Sequence, residues 1–193
     1  MKKVLFFAII TVCMLTISCG ETEHEFSNYH CYFVFDNGIH NNAVAAGAMT
    51  PYSNIFVVVK KKEQMVGNST LTHFLFTEAG SGKTQTSKAN GVDMKRTIRI
   101  GQNNSIIIGY GNMSDPPVFY AYDLECPNCF SADAWPQRDY YLSLSATGIA
   151  TCAVCKRQYS LSQAGIIVAG NDGKKLIRYR ASTSGPYGIL HVN

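Results

Sequence analysis

The sequence predicts an all-β protein, and two patterns favour that fold class. Short runs rich in aromatic and β-branched residues recur along the chain, and clusters of Gly, Asn and Asp separate them at roughly the 8–12-residue spacing that is typical of a sandwich or barrel. No segment shows the apolar period of an amphipathic helix, and residues 131–137 have room for one short helical turn at most. The chain has 193 residues, which is enough for one domain with a buried core.

The runs between these turns place the strands. The predicted strands are residues 29–35, 54–60, 70–77, 97–100, 105–110, 118–122, 140–145, 149–152, 158–161, 165–168, 176–180 and 189–192. Residues 78–93 are predicted to form a long polar loop, and residues 101–104 a hairpin turn. Cys31 lies inside the first run, and we interpret it as a small, buried core residue.

The polar loop contains Gly80-Ser81-Gly82-Lys83-Thr84, which is similar to a phosphate-binding loop. That motif requires a glycine five residues before Gly82, where this chain has Thr77, and it requires a helix to follow. Residues 85–90 show no helical apolar period. The sequence therefore predicts a flexible loop here and no nucleotide partner.

The N-terminus has the pattern of an export signal. Lys2 and Lys3 precede a mostly apolar run over residues 4–17, which is too short to span a bilayer and suits a signal peptide. The run continues into Ser18 and Cys19. This end of the run resembles a bacterial lipobox, although Thr16 stands where leucine is usual.

The lipobox resemblance implies how the N-terminus is divided and where in the cell the protein is located. Residues 1–18 would be a lipoprotein signal peptide, Cys19 would carry the lipid, and residues 19–27 would be a tether to the domain. The protein would be an exported bacterial lipoprotein of the outer membrane, on its periplasmic face or on the cell surface. The alternative is an ordinary cleaved signal peptide with a spare cysteine nearby.

The charge balance predicts no nucleic-acid partner. The chain has 17 basic and 13 acidic residues, for a formal net charge of +4. Two of the basic residues are the lysines of the signal, so the mature chain is close to neutral. The partner implied is a membrane, reached through the N-terminal lipid. A redox or other envelope protein is a possible second partner.

Two Cys-x-x-Cys pairs carry the chemistry of this sequence. Cys126 and Cys129 form the first pair, Cys152 and Cys155 form the second, and 22 residues separate the pairs. Two intervening residues allow a tight turn to aim both sulfurs at one ion. A second such turn, brought alongside by β-pairing, completes a tetrahedron. The sequence therefore predicts that these four cysteines bind a metal.

Export makes a β-sandwich interaction lipoprotein with disulfides and no metal the alternative, because thiols tend to pair outside the cytoplasm. Cys13 is lost with the signal and Cys19 is the lipid site, so five cysteines remain: the two pairs and Cys31. An odd number cannot all pair within one chain. A metal site and one buried thiol explain the arrangement more simply than a disulfide framework.

The region around the cysteines resembles a Rieske-type iron–sulfur domain. The resemblance rests on the order of Phe119-Tyr-Ala-Tyr-Asp123, the first pair, the second pair followed by Tyr159, then Gly165, and Leu176-Ile-Arg-Tyr179. It covers residues 100–193 and implies a β domain over residues 28–193. In such a domain, a base sheet holds the early and C-terminal strands, and a metal-binding subdomain over about residues 124–170 is inserted in it.

This chain departs from the Rieske pattern at the ligands. A Rieske site uses two cysteines and two histidines, with both imidazoles on one iron. Here Cys155 occurs where the second histidine is expected, and Asn128 and then Cys129 occur around the position of the first. The five histidines, His24, His30, His40, His73 and His191, all lie outside the two loops. The resemblance therefore implies a four-cysteine site.

Two chemistries suit four thiolates. Zinc would be held in a closed tetrahedron and would be structural, and a single iron could take the same place. A [2Fe–2S] cluster with four cysteines would have a low potential and would transfer electrons. Pro127 inside the first pair slightly favours a single metal ion, because it fixes one turn dihedral. Lys156 and Arg157 would offset the negative charge of either site.

Nothing in the sequence assembles a catalytic centre. The chain has no His-Glu-x-x-His motif, no Ser/His/Asp set and no pair of close carboxylates at a useful spacing. An enzyme is therefore the less favoured interpretation. Trp135 lies between the two pairs, and we expect it to pack in the interior.

Overall fold

Antiparallel strands dominate the computed structural model, which describes residues 24–193, so the predicted all-β class is confirmed. Within those residues the strands are β1 (Phe33–Asp36), β2 (Phe56–Val66), β3 (Ser69–Glu78), β4 (Thr84–Lys88), β5 (Ser105–Tyr110), β6 (Phe119–Asp123), β7 (Leu142–Leu144), β8 (Ile149–Cys152), β9 (Gln158–Ser160), β10 (Ile167–Ala169), β11 (Arg178–Tyr179), β12 (Ala181–Thr183) and β13 (Ile189–Val192). The helices are α1 (Asn37–His40), α2 (Ala43–Ala48) and two 3-10 turns, Asp93–Lys95 and Gln102–Asn104.

A six-stranded sheet in the order β11-β6-β5-β2-β3-β4 forms the centre of the fold. Its middle strand β5 is buried on both faces, as its continuous apolar run Ile106-Ile107-Ile108 requires. Ile106 and Ile108 point into one hydrophobic core, and Ile107 points into a second core on the opposite face. The sheet therefore separates two cores.

The first core lies beneath a three-stranded sheet in the order β1-β13-β12. The first and last strands of the domain pair here, with Phe33 opposite Val192. Phe33 meets Phe74 of β3 with ring centroids 5.1 Å apart, and Phe35 meets Phe76 at 4.8 Å. We expected the early and C-terminal strands to share one base sheet. They are instead divided between two sheets: β1 pairs with β13 and lies in a sheet with β12, and β2–β4 lie in the six-stranded sheet with β11.

The second core lies beneath a four-stranded sheet in the order β10-β9-β8-β7. This small sheet is built from the chain between β6 and β11, which are themselves paired, with Tyr122 opposite Arg178. The Tyr122 hydroxyl donates to the carbonyl of Leu161 at 2.8 Å, across the boundary between the two sheets. The cysteine loops lie at one end of this insertion.

Two short helices were not predicted. Asp36 caps α1 by accepting from the N–H of Gly38, and the Asn42 side chain caps α2 by accepting from the N–H of Ala45. Neither helix is long enough to show an apolar period, because α1 spans four residues and α2 spans six. The capping residues were the only sequence signal for them.

The largest differences from the predicted boundaries concern one loop, two strands and one turn. The polar loop over residues 78–93 contains β4, and the Gly80–Thr84 segment belongs to the connection between β3 and β4. Residues 29–32 and 97–100 are not strands; they meet only through one bridge, between Tyr32 and Arg99. The turn at residues 101–104 therefore joins no hairpin, and β5 pairs with β2 and β6. The polar strand β4 was not predicted, because its pairing with β3 depends on tertiary contacts more than on its own composition.

The segment that enters the domain is fixed to the sheet. The N–H of Ser27 donates to the carbonyl of Arg178 at 2.8 Å, and the Glu25 carboxylate contacts the Arg178 guanidinium at 2.7 Å. The Phe26 ring lies under Arg178 and Arg180, with 5.0 and 4.8 Å to its centroid. The predicted signal peptide and Cys19 lie outside the described residues. Within residues 24–193, no helix has the length and apolarity to cross a bilayer.

Candidate metal centre

The first cysteine loop is a tight turn that begins directly after β6. The carbonyl of Cys126 accepts from the N–H groups of Cys129 and Phe130 at 3.1 and 2.9 Å, which closes the turn. The N–H of Cys126 donates to the carbonyl of Tyr140 at 3.0 Å, so the start of the turn is bound to the segment that leads into β7. Pro127 suits the turn because its ring fixes φ and no hydrogen bond from its nitrogen is needed.

The second cysteine loop is the turn between β8 and β9. The N–H of Cys152 donates to the carbonyl of Arg157 at 3.0 Å, and the N–H of Lys156 donates to the carbonyl of Cys152 at 3.1 Å. Lys156 has a φ of 61°, in the left-handed region, and this reverses the chain directly after Cys155. Pairing of Leu142 with Cys152 fixes the turn to the small sheet.

The two turns bring the four sulfurs together. All four sulfur atoms lie within 4.8 Å of one another. The Cys126 sulfur is 3.7 Å from that of Cys155, and the Cys129 sulfur is 3.8 Å from that of Cys152. Cys126 and Cys152 are buried, while Cys129 and Cys155 are partly exposed. The four cysteines that the sequence singled out thus form one compact cluster, which could bind a metal ion.

Backbone N–H groups also face the sulfurs. The N–H of Asn128 donates to the Cys126 sulfur, and the N–H of Arg157 donates to the Cys155 sulfur. In each turn the donor is two residues after the cysteine that it contacts. Such donors favour the thiolate form, which is the form that binds metals.

A tyrosine hydroxyl contacts the most deeply buried sulfur. The hydroxyl of Tyr159 lies 3.4 Å from the Cys126 sulfur and accepts from the Asn128 side-chain amide at 2.9 Å. Because Asn128 supplies a proton to that oxygen, the one proton of the tyrosine is free to point at the sulfur. Sequence reasoning matched Tyr159 to an aromatic position. It did not assign the hydroxyl this role.

The protonation of the thiols is uneven. Burial and the neighbouring thiols raise the pKa of Cys126 and of Cys129. Burial also acts to raise the pKa of Cys155, but hydrogen bonds from the backbone and guanidinium of Arg157 and from the thiols of Cys152 and Cys129 outweigh it and lower the pKa to about 6. A bound cation would favour the thiolate at all four positions, because metal binding displaces thiol protons.

One further loop closes over both turns. The Asn128 side chain donates to the carbonyl of Lys174 at 2.7 Å and accepts from the N–H of Lys174 at 2.9 Å. The Arg157 guanidinium donates to the carbonyls of Asn171 and Asp172 at 3.0 and 2.8 Å. One residue from each turn therefore holds residues 171–174 beside the cluster. These contacts were not predicted, since nothing in the sequence around Lys174 marks it as a neighbour of the cysteines.

Two predictions about single residues outside the cluster have opposite outcomes. Cys31 is 3% exposed, as predicted for a core residue, and its sulfur accepts from the N–H of Gly101 at 3.4 Å. Burial raises the pKa of Cys31 to about 11. The expectation that Trp135 packs in the interior is wrong, because its side chain is 95% exposed.

Comparison of the chain with known protein families, with characterised proteins and with solved structures finds no match. The geometry of the cysteine cluster and the resemblance in its sequence therefore carry the functional argument.

We predict that Tyr159→Phe lowers zinc affinity about tenfold, the lower end of the range for loss of a contact to a metal ligand. The variant removes the hydroxyl beside the Cys126 sulfur and keeps the buried ring. Tyr52→Phe is the control, since that hydroxyl donates to the Asp115 carboxylate at 2.8 Å and Tyr52 lies outside the second core. Competition against a chelator of known affinity measures both variants. Equal zinc affinity in the two would contradict a role for the Tyr159 hydroxyl.

Proposed function

We propose that this protein binds one zinc ion through Cys126, Cys129, Cys152 and Cys155, and that the ion is structural. The observation that carries this proposal is the spacing of the sulfurs. A regular tetrahedron with zinc–sulfur bonds of about 2.3 Å has its sulfurs about 3.8 Å apart. Two contacts between the loops, from Cys126 to Cys155 at 3.7 Å and from Cys129 to Cys152 at 3.8 Å, have this length.

The same spacing disfavours a [2Fe–2S] cluster. Such a cluster separates two irons by bridging sulfides, so thiolates on different irons lie further apart than the edge of a single tetrahedron. Here all four sulfurs lie within 4.8 Å of one another. The electron carrier with a [2Fe–2S] cluster is therefore the second candidate. It is favoured by the sequence resemblance and opposed by the geometry.

The size of the inserted sheet favours a structural role. Three of its strands, β7, β9 and β10, have only three residues each. So small a sheet buries little apolar area, and a structural metal is a common way to stabilise such a unit. The four thiolates also fill a tetrahedral coordination shell, which leaves no open position for a substrate.

A Rieske-like architecture is part of the proposal. The first cysteine loop precedes the small sheet, the second joins two of its strands, and the whole insertion lies between the paired strands β6 and β11. This order supports the arrangement that the resemblance implies. In this proposal the fold is retained, and one metal ion takes the place of a cluster.

The proposed cellular location is the outer membrane, with the mature chain anchored by a lipid on Cys19. The support for it is the lipobox-like end of the apolar run over residues 4–17. The partner is accordingly a lipid bilayer, and an envelope protein is a further possible partner.

Metal analysis of the mature protein, purified without a chelator, tests the proposed function. We expect a colourless protein with one zinc per chain. One iron per chain would keep the four-cysteine site and change the metal. Two irons with acid-labile sulfide would establish the electron carrier instead. Absence of metal, with no free thiol in the two pairs, would leave the disulfide alternative.

We predict that Cys152→Ser abolishes zinc binding and unfolds the inserted sheet, because the free energy of metal binding contributes to folding at a structural site. Hydrogen exchange should show loss of protection in β8 and β9, with protection in β2 and β5 retained. Cys31→Ser is the control: its residue lies in the other core and should keep both the metal and the protection. A Cys152→Ser protein that melts like the parent would rule out a structural metal.

We predict that the full chain, made in a Gram-negative host, yields a mature protein with lipid on Cys19, measured by the mass of its N-terminal peptide. Cys19→Ala should remove the lipid, and Cys13→Ala, inside the signal, should not. A mature chain that is cleaved without lipid would show an ordinary signal peptide.

A further inference from the structure

Trp135 is the most exposed large apolar side chain in the described part of the chain. It is 95% exposed, and it is the one tryptophan of the sequence. Val154, at the tip of the second cysteine loop, is 63% exposed. A single exposed apolar residue needs no explanation, but indole is also a side chain that is enriched where a protein meets the membrane–water interface.

Both side chains lie at the end of the molecule that carries the cysteine cluster. Trp135 and Arg138 line a groove of about 250 Å³ together with Cys129. Val154 lies between Cys152 and Cys155, and the Cys152 sulfur is 3.8 Å from that of Cys129. The two apolar groups therefore project from neighbouring loops.

The chain enters the domain at this same end. His24, Glu25 and Phe26 line a cleft of about 470 Å³ together with Pro127 and Phe130 of the first cysteine loop. The contacts of Glu25, Phe26 and Ser27 with Arg178 hold the entering segment there. Five residues lead from Cys19 to His24, and a fully extended chain of that length spans at most about 18 Å.

A lipid on Cys19 would therefore hold the cysteine-loop end of the domain close to the bilayer. The reach of the five residues sets the greatest distance between the anchor and the cleft at about 18 Å. The linkage also makes the effective concentration of these loops at the membrane high, so that a weak intrinsic affinity suffices for contact.

Charge contributes little to this surface. The basic residues of the three loops over residues 127–138, 153–157 and 171–175 are Arg138, Lys156, Arg157, Lys174 and Lys175, and the acidic residues are Asp133 and Asp172. Zinc held by four thiolates adds two negative charges, which leaves the surface nearly neutral. Attraction to anionic lipid is therefore weak, and the indole and the exposed valine must supply the affinity.

We propose that the loops over residues 127–138 and 153–157 rest on the surface of a phospholipid bilayer, with the indole of Trp135 inserted at the interface. Indole favours this position because its ring is apolar and its N–H remains hydrogen-bonded to water or headgroups. The proposal rests on the lipid attachment at Cys19 described above. It orients the domain with its metal centre facing the membrane.

The fluorescence of Trp135 tests this orientation directly, since no other tryptophan contributes. The zinc-loaded mature chain is coupled through the Cys19 thiol to maleimide-bearing lipid in vesicles of phosphatidylethanolamine and phosphatidylglycerol. The cysteines of the pairs are held by zinc, and Cys31 is 3% exposed, so Cys19 is the reactive thiol. We expect the emission to shift to shorter wavelength on coupling, and lipids brominated on their acyl chains to quench it.

The double variant Trp135→Phe, Tyr187→Trp is the matched control. Tyr187 is 55% exposed and follows Pro186, whose carbonyl accepts from the Asn37 side chain at 2.7 Å, so it lies beside α1 and the three-stranded sheet. The new tryptophan should show neither the shift nor the quenching. If Trp135 of the coupled protein keeps the emission of a water-exposed indole and escapes quenching, the proposal is overturned.

A negative result in this experiment can be distinguished from a failure of the proposed function. Chemical coupling replaces the natural lipid, so the outcome does not depend on processing in the cell, and the mass of the natural N-terminus tests the anchor on its own. Zinc content, measured on the same coupled sample, tests the metal site.

Discussion

The meeting of the two cysteine loops depends on the docking of the inserted sheet against the central sheet. The first loop follows directly from β6 of the six-stranded sheet, and the second belongs to the four-stranded sheet. Their sulfurs can lie 3.7 Å apart only when the second core between the sheets is fully packed. Tyr122 is central to that packing, since its ring is fully buried and its hydroxyl binds the carbonyl of Leu161. The four-cysteine cluster and the packing of the second core thus support each other.

A buried carboxylate fixes the start of the first loop in the same way. Asp123, at the end of β6, accepts from the Tyr179 hydroxyl at 2.6 Å and from the N–H groups of Gln102 and Glu125 at 2.7 and 2.8 Å. Burial raises its pKa, and these three hydrogen bonds oppose the rise. Glu125 extends the network by accepting from the N–H of Tyr140 at 2.6 Å. Hydrogen bonds of Asp123 and Glu125 therefore fix the backbone directly before Cys126.

The sequence predicted best where a pattern is local. The apolar alternation and turn residues placed β5, β8 and β13 at their observed bounds, and the Cys-x-x-Cys spacing selected the four residues that cluster. Both signals come from neighbouring residues, so they can be read without knowledge of the fold. The polar strand β4 was missed because its partner β3 decides its conformation, and α2 was missed because six residues do not reveal a helical period.

The contacts that support the sulfurs were not predictable for a related reason. Asn128, Arg157 and Lys174 are ordinary surface residue types, and their roles exist only because the loop over residues 171–174 returns beside both turns. Trp135 shows the opposite error: its size suggested burial, but the loop that carries it extends into solvent. The residue type indicates whether a side chain favours burial, and the fold decides whether that side chain is buried.

The exchange of histidine for cysteine, relative to the Rieske pattern, has a physical consequence at this site. A ligand set of two imidazoles and two thiolates assigns unlike ligands to two irons and raises the reduction potential of the cluster. Four thiolates suit either a [2Fe–2S] cluster or a single ion, and the single ion requires all four sulfurs around one centre. The 4.8 Å limit on the sulfur separations matches such a centre. In the proposed function, the thiols at Cys129 and Cys155 therefore serve a centre that joins two loops, where the histidines of the Rieske pattern serve one that transfers electrons.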